Sequence, residues 1–374
     1  MKKVLSVLLS LTLVFALFAS CGKDNPQSEI SDTPEVVEPD YFPNLLTGEL
    51  RSDDYPVGQR PVAIVVNNIR GSMPQSGIND ADIIYEVVTE GGITRLLAVY
   101  SDYSAVPLVG SVRSARDQHV QLMFPLEAIY VHIGGSTYAT DMLRRYSYEN
   151  LELDAMSRSG IFWQNTARIS QGYSSEYTWY TDGEALAERI EHYGINTTAT
   201  ENRTAFNFVH YDEPDRELEG GEATGITIRF SQSYVSVFQY ENGRYYKSQF
   251  GAPQIDANTG EQYSVENVIV IFTSMEKYPD GILTKVDFNF GGVGYYFSNG
   301  QYEQIRWIKG SPESPLRIVD MQGNEIDVLI NPGQTYVAVV DLREYDYFSF
   351  SANGVDIEES FTTAPSTSEV EAED

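Results

Sequence analysis

The chain has 374 residues, 25 of them basic and 54 acidic, giving a formal net charge of −29 and a pI near 4.4. That charge excludes electrostatic docking on nucleic-acid phosphates or anionic headgroups, and a hydrophobic content of 42% excludes global disorder. One cysteine rules out an internal disulfide framework, and four histidines leave little room for a metal centre, so neither metal nor cofactor is expected.

The N-terminus reads as an address. Lys2 and Lys3 precede an apolar run from Val4 to Phe18, the pattern of a signal peptide over residues 1–20. Leu17-Phe18-Ala19-Ser20-Cys21-Gly22 resembles the lipobox of bacterial lipoproteins, in which the cysteine thiol is joined to diacylglycerol and becomes the first residue after cleavage. Acylation of Cys21 would tether the protein to the extracytoplasmic face of the cell membrane. It would also remove every cysteine-nucleophile mechanism.

Residues 21–59 are rich in Asp, Glu, Pro and Ser and read as an acidic flexible tether, with docking near Tyr41-Phe42 and Tyr55. Residues 60–211 read as a mixed α/β lobe. Strands are expected over 61–66, 82–88, 94–100 and 128–133, the second and third joined as a hairpin around Gly91-Gly92. Helices are expected over 115–124, stopped at Pro125, over 137–146, and over 183–193, closed by Gly194. From 224 to 345 the period changes to two, and Asn242-Gly243 and Asn299-Gly300 are hairpin turns, so this lobe is expected to be mainly β, a small sandwich or open barrel. The fold class is α+β. Residues 346–374 form a C-terminal segment, of which 360–374 reads as a disordered acidic tail.

The densest polar constellation is Gly110-Ser111-Val112-Arg113-Ser114-Ala115-Arg116-Asp117, with Ser114 as a candidate N-cap. Serines and arginines at a helix start suit an anion, held by backbone donors and guanidinium forks. The competing reading pairs Arg113 and Arg116 with Glu86, Glu90 or Asp117 in a buried network. A second helix start follows His132, at Gly134-Gly135-Ser136-Thr137, and the two junctions are expected to adjoin. His132 on an apolar strand reads first as a satisfied core histidine. Glu86 and Glu90, four apart on a strand, share a face and could form a carboxylate pair. Asn67-Asn68 and Pro74-Gln75-Ser76-Gly77 read first as loops. Tyr245, Tyr246, Tyr295, Tyr296, Tyr302 and Trp307 read as cross-strand aromatic pairs rather than a stacking platform.

Arg60-Pro61-Val62-Ala63 … Asn68, Pro74-Gln75-Ser76-Gly77, Ala81 to Glu86, Glu90 to Arg95, Gly110 to Arg116 and His132 … Gly134-Gly135-Ser136 together resemble the YerB-like lipoproteins, a two-domain bacterial family of unknown function. Asn267 to Val270, Gly294 to Phe297, Asn299-Gly300, Trp307 and Pro332 to Thr335 resemble that family's second domain. The resemblance implies an envelope lipoprotein and supplies no reaction. The chain departs from the family pattern at Asn67-Asn68, where a carboxylate is usual, and at 175–181, where a histidine is usual; both departures count against acid/base or metal chemistry.

The expectation is therefore a lipid-anchored, extracytoplasmic binding or scaffolding protein with a cell-wall or envelope protein as partner and an anion-accepting cleft in its first lobe, without catalysis. Its candidate ligand-binding residues are Asn68, Gln75, Glu86, Glu90, Arg95, Ser111, Arg113, Ser114, Arg116, His132, Gly134, Gly135 and Ser136. The alternative is an envelope hydrolase or transferase using Glu86 or Glu90, His132 and the arginines.

Overall fold

The structure, a computed structural model, describes residues 42–51, 56–148, 152–154, 158–200, 204–323, 325–359 and 361. The signal peptide, Cys21, most of the acidic tether and the tail beyond 361 lie outside the described residues. No described helix is long and apolar enough to cross a membrane.

The elements that carry the argument, in chain order, are β1 (Val62–Asn67), β2 (Ile83–Val88), β3 (Thr94–Tyr100), α1 (Asp117–Met123), β4 (Ile129–His132), α2 (Thr137–Arg145), β5 (Glu152–Asp154), α3 (Thr166–Ser170) and α4 (Gly183–Tyr193). The second half adds β6 (Gly221–Glu222), β7 (Gly225–Ser231), β8 (Tyr234–Glu241), β9 (Arg244–Gln249), β10 (Asn267–Thr273), β11 (Gly292–Ser298), β12 (Gln301–Ile308), β13 (Arg317–Val319), β14 (Thr335–Asp341) and β15 (Ser349–Ala352). The class is α+β; among the described residues every α-helix lies before Gly194.

Local chemistry places the ends. Asp182 caps α4 by accepting from Ala185 N at 3.0 Å, and Gly194 closes it in the left-handed region. Asn242-Gly243 and Asn299-Gly300 both have positive φ at both positions, the requirement of a type I′ hairpin. The helix expected over 115–124 begins two residues later. Ala115 cannot join it, because its N–H donates to Gly134 O and its carbonyl accepts from Ser136 N. Ser114 is therefore not an N-cap; Arg116 holds that position. Pro125 does not stop the chain turning either, since Phe124–Leu126 continue as a 3₁₀ turn.

Among the described residues, eleven strands form one large sheet in the order β6-β12-β11-β10-β14-β2-β3-β1-β4-β5, with β13 added to β12. The C-terminal strands thus do not form a separate sandwich. β14 lies parallel to both β2 and β10, so the strands of the two halves meet at one seam, β14 against β2, with no break in hydrogen bonding. These central strands are buried along their length, which their unbroken Val/Ile/Tyr runs require. A second, seven-stranded sheet built on β9-β8-β7-β15 covers one face. Aromatic rings fill the space between: Phe238 lies 4.9 Å from Tyr336, and Phe350 lies 4.5 Å from Tyr302 and 5.2 Å from Tyr295. Tyr245, Tyr295, Tyr296, Tyr302 and Trp307 are buried, as cross-strand core rather than platform. Residues 42–51, read as tether, are docked on the fold, with Asn44 Nδ2 donating to Asp82 and Gly333 N to Thr47 O. Phe361 is buried too.

β1, β2, β4, β10 and β14 all point the same way. Their C-terminal ends gather Asn67-Asn68, Glu90 and His132–Ser136 at one end of the sheet, and residues 42–51 dock at the other.

Candidate functional site

Two polar networks occupy the arginine-bearing end, on different faces of the large sheet. The first faces the second sheet and is closed to solvent. Glu86 Oε1 accepts from Asn68 Nδ2 at 3.0 Å and Thr94 Oγ1 at 2.8 Å; Oε2 accepts from Tyr336 OH at 2.5 Å and lies 3.2 Å from Lys247 Nζ. Lys247, 1% exposed against a wholly buried Glu86, also donates to Gln249 Oε1 at 2.8 Å and Gln254 Oε1 at 2.6 Å. Gln75 extends the chain, accepting from Gln254 Nε2 and donating to Asn68 Oδ1. Burial pushes the Lys247 ammonium down, against the charge of Glu86. Burial pushes Tyr336 well up, and the neighbouring Glu86 carboxylate adds to this. Every oxygen of Glu86 is thus engaged inside the protein.

The second network collects the arginines. Glu90 begins the turn after β2, so the strand alternation that would align it with Glu86 does not reach it. Arg116 grips it with Nε at 2.8 Å and Nη2 at 2.6 Å, and Arg95 Nη2 adds a third bond at 2.7 Å. The same guanidiniums reach back to the strand-to-helix junction, Arg95 to Ser114 O and Arg116 to Ala115 O. Burial pushes the Glu90 carboxyl up, but the hydrogen bond from Arg116 and the two positive charges outweigh it and hold the pKa at about 2. Arg95, almost wholly buried beside Arg116, is lowered to about 9, first by desolvation and then by that like charge. Arg113 does not share this partner. It pairs with Glu176 at 3.1 Å, both side chains partly in solvent.

The two helix starts do adjoin. Besides the Ala115 bonds, Ile133 N donates to Arg113 O. Ser136 caps α2 through Ala139 N at 3.1 Å. His132 is a satisfied core histidine: Nδ1 lies 2.9 Å from Gly134 O and Nε2 3.0 Å from Glu152. Gly134 N donates to Asp154, and Gly135 packs its backbone against Ala115. The hydroxyl of Ser111 is buried without a hydrogen-bond partner among the described residues.

The structure therefore brings Asn68, Gln75 and Glu86 together; Glu90, Arg95, Ser114 and Arg116 together; and His132, Gly134, Gly135 and Ser136 together with the backbone of Arg113. It does not join Glu86 to Glu90 or to His132, as a hydrolytic constellation would need. A carboxyl held near 2 has no proton to give at neutral pH, and Glu86 has no free oxygen to offer a substrate. No group of His, Cys, Asp and Glu among the described residues could hold a metal ion. Sequence reasoning missed Lys247. The alternation in β9, with Tyr245, Lys247 and Gln249 on one face, was the signal that it points inward.

Comparison with known proteins agrees with this architecture. The N-terminal domain model of a family described as protein of unknown function DUF3048 matches residues 46–196, and its C-terminal domain model matches 226–337. A Bacillus subtilis (strain 168) protein described as "Putative lipoprotein YerB" is 28% identical over 91% of this chain and 96% of its own length. The crystal structure of the Bacillus subtilis YerB protein superposes with a TM-score of 0.69 at 25% identity, covering 83% of this chain and 99% of that one.

Proposed function

The chain belongs to the DUF3048 family, carrying both of its domains, and from that premise we propose that it is a membrane-anchored extracytoplasmic lipoprotein acting as a non-catalytic binding or scaffolding protein of the bacterial envelope. The anchor is Cys21, supported by the lipobox-like segment and by the lipoprotein description of the Bacillus relative. The non-catalytic part rests on one observation: both carboxylates that the sequence offered for acid/base work are consumed, Glu86 by four internal partners and Glu90 by two arginines. The arginine-bearing end accepts an anionic group of an envelope component by exchange at Arg113, whose pair with Glu176 is the solvent-facing one. The test is fractionation of cells making the wild type or Cys21→Ala. The variant should leave the membrane fraction or stay uncleaved; a cleaved Cys21→Ala protein still held in the membrane fraction defeats the anchor.

A further inference from the structure

The outer edge of the large sheet is notched. β6 covers β12 at Gln301 and Tyr302, β13 covers it from Arg306 to Ile308, and neither pairs with Glu303, Gln304 or Ile305. A cavity of about 340 Å³ opens there. Its floor is apolar, from Met321, Val328 and Leu329, the last 44% exposed. Its walls carry Glu219, Glu303, Asp320 and Glu359, against one cation, Arg216.

These carboxylates are not equivalent. Glu303 is neutralised by a two-pronged grip from Arg216, with bonds of 2.7 and 2.5 Å. Glu359 is instead oriented by neutral donors, Tyr302 OH at 2.6 Å and Gln304 Nε2 at 2.7 Å, which fix its direction and leave its charge. Asp320 Oδ1 is buried with no hydrogen-bond partner among the described residues. No described cation forms an ion pair with Glu219, Asp320 or Glu359.

We propose that this notch docks a basic, extended segment of a partner protein. The hydrocarbon stem of a Lys or Arg lies on Met321, Val328 and Leu329 with its cationic head toward Glu359 and Asp320, and the segment's backbone runs along the uncovered stretch of β12. The volume sits at the small end for ligand pockets and suits one or two side chains. A bare divalent cation would use the carboxylates but neither the apolar floor nor the strand edge. The acidic end of the chain's own tail, with Glu369, Glu371, Glu373 and Asp374, has the wrong charge for these walls. The net charge of −29 steers a cationic partner toward the protein, and the notch fixes where it lands.

This proposal deepens the binding reading and is independent of Cys21 and of the arginine-bearing end. Full-length protein in detergent micelles is titrated with a fluorescent peptide of alternating lysine and valine, with the same peptide carrying glutamate for lysine, and with calcium chloride alone. The lysine peptide should bind, the glutamate peptide should not, and calcium should not displace the former. Asp320→Asn with Glu359→Gln should weaken binding by at least about tenfold, and Leu329→Ala should weaken it without changing charge. Glu276→Gln with Glu313→Gln, an equal charge removal elsewhere on the surface, should change it by less than about twofold. All variants are checked for wild-type melting. Equal weakening by both charge-removing pairs, displacement by calcium, or no binding of the lysine peptide overturns the notch. Any of these leaves the membrane-fraction result and anion exchange at Arg113 untouched.

Discussion

Replacing Lys247 with methionine should destabilise the fold by about 3–5 kcal/mol, although the side-chain volume is nearly kept. The ammonium and the Glu86 carboxylate lie 3.2 Å apart at 1% and 0% exposure. At an effective dielectric of about 20, charges at that separation attract by about 5 kcal/mol. Desolvation of the two ions offsets much of that gain, so the intact pair adds little net stability. Removing one partner is different, because Glu86 is left buried and charged with only Asn68, Thr94 and Tyr336 as donors. With an unfolding entropy of about 2.1 cal/mol/K per residue over roughly three hundred folded residues, the loss lowers the melting temperature by about 5–8 °C. Circular dichroism melts measure it. Glu86→Gln added to Lys247→Met removes the stranded charge and should recover more than half of the loss. A Lys247→Met protein that melts like the wild type, or a double variant no better than the single, refutes the reasoning.

The arginines separate by environment. Arg116→Ala, which strips the two-pronged grip from Glu90 beside an almost wholly buried Arg95, should lower the melting temperature by several degrees, whereas Arg113→Ala, paired in solvent, should melt within about 1 kcal/mol of wild type; matching melts for the two would contradict this. Glu90 sets a pH dependence. Its folded pKa is depressed to about 2 from an ordinary 4.5, so its stabilisation is full above about 4.5 and is lost as pH falls from there toward 2. The difference in urea midpoint between wild type and Glu90→Gln should therefore shrink across that window, and a difference that stays constant from pH 5 to 2 would rule the linkage out.

What the sequence made legible were features with local causes. The α4 boundaries follow from Asp182 and Gly194, and the two Asn-Gly turns follow from their need for positive φ. The adjacency of the two helix starts was legible too, because short connections keep consecutive units together. The features that escaped depend on partners far along the chain. Alternation in β9 gives the face that Lys247 shares with Tyr245 and Gln249, but nothing within the strand announces that this face meets Glu86. The split of the C-terminal strands between two sheets was hidden for the same reason, since period-two alternation reports that a strand has faces but not which sheet it joins. Among the candidate residues, the sequence could not rank pairing against ligand binding for the arginines, because either use needs the same guanidinium.

The position of β14 has a consequence for biogenesis. This strand, Thr335–Asp341, is made late, yet it is inserted between β2 and β10 in the middle of the large sheet. Until it arrives, the growing chain is an N-terminal half whose β2, Ile-Ile-Tyr-Glu-Val-Val, has an open hydrogen-bonding edge, the kind that recruits strands from other chains. Closure also demands contacts spanning some two hundred and fifty residues, as from Glu86 to Tyr336, the long-range kind that forms slowly. The two halves recognised as separate family domains thus share one sheet: a fragment ending before Thr335 retains the β2 edge without the strand that conceals it, and is expected to aggregate or be degraded where the full chain is not.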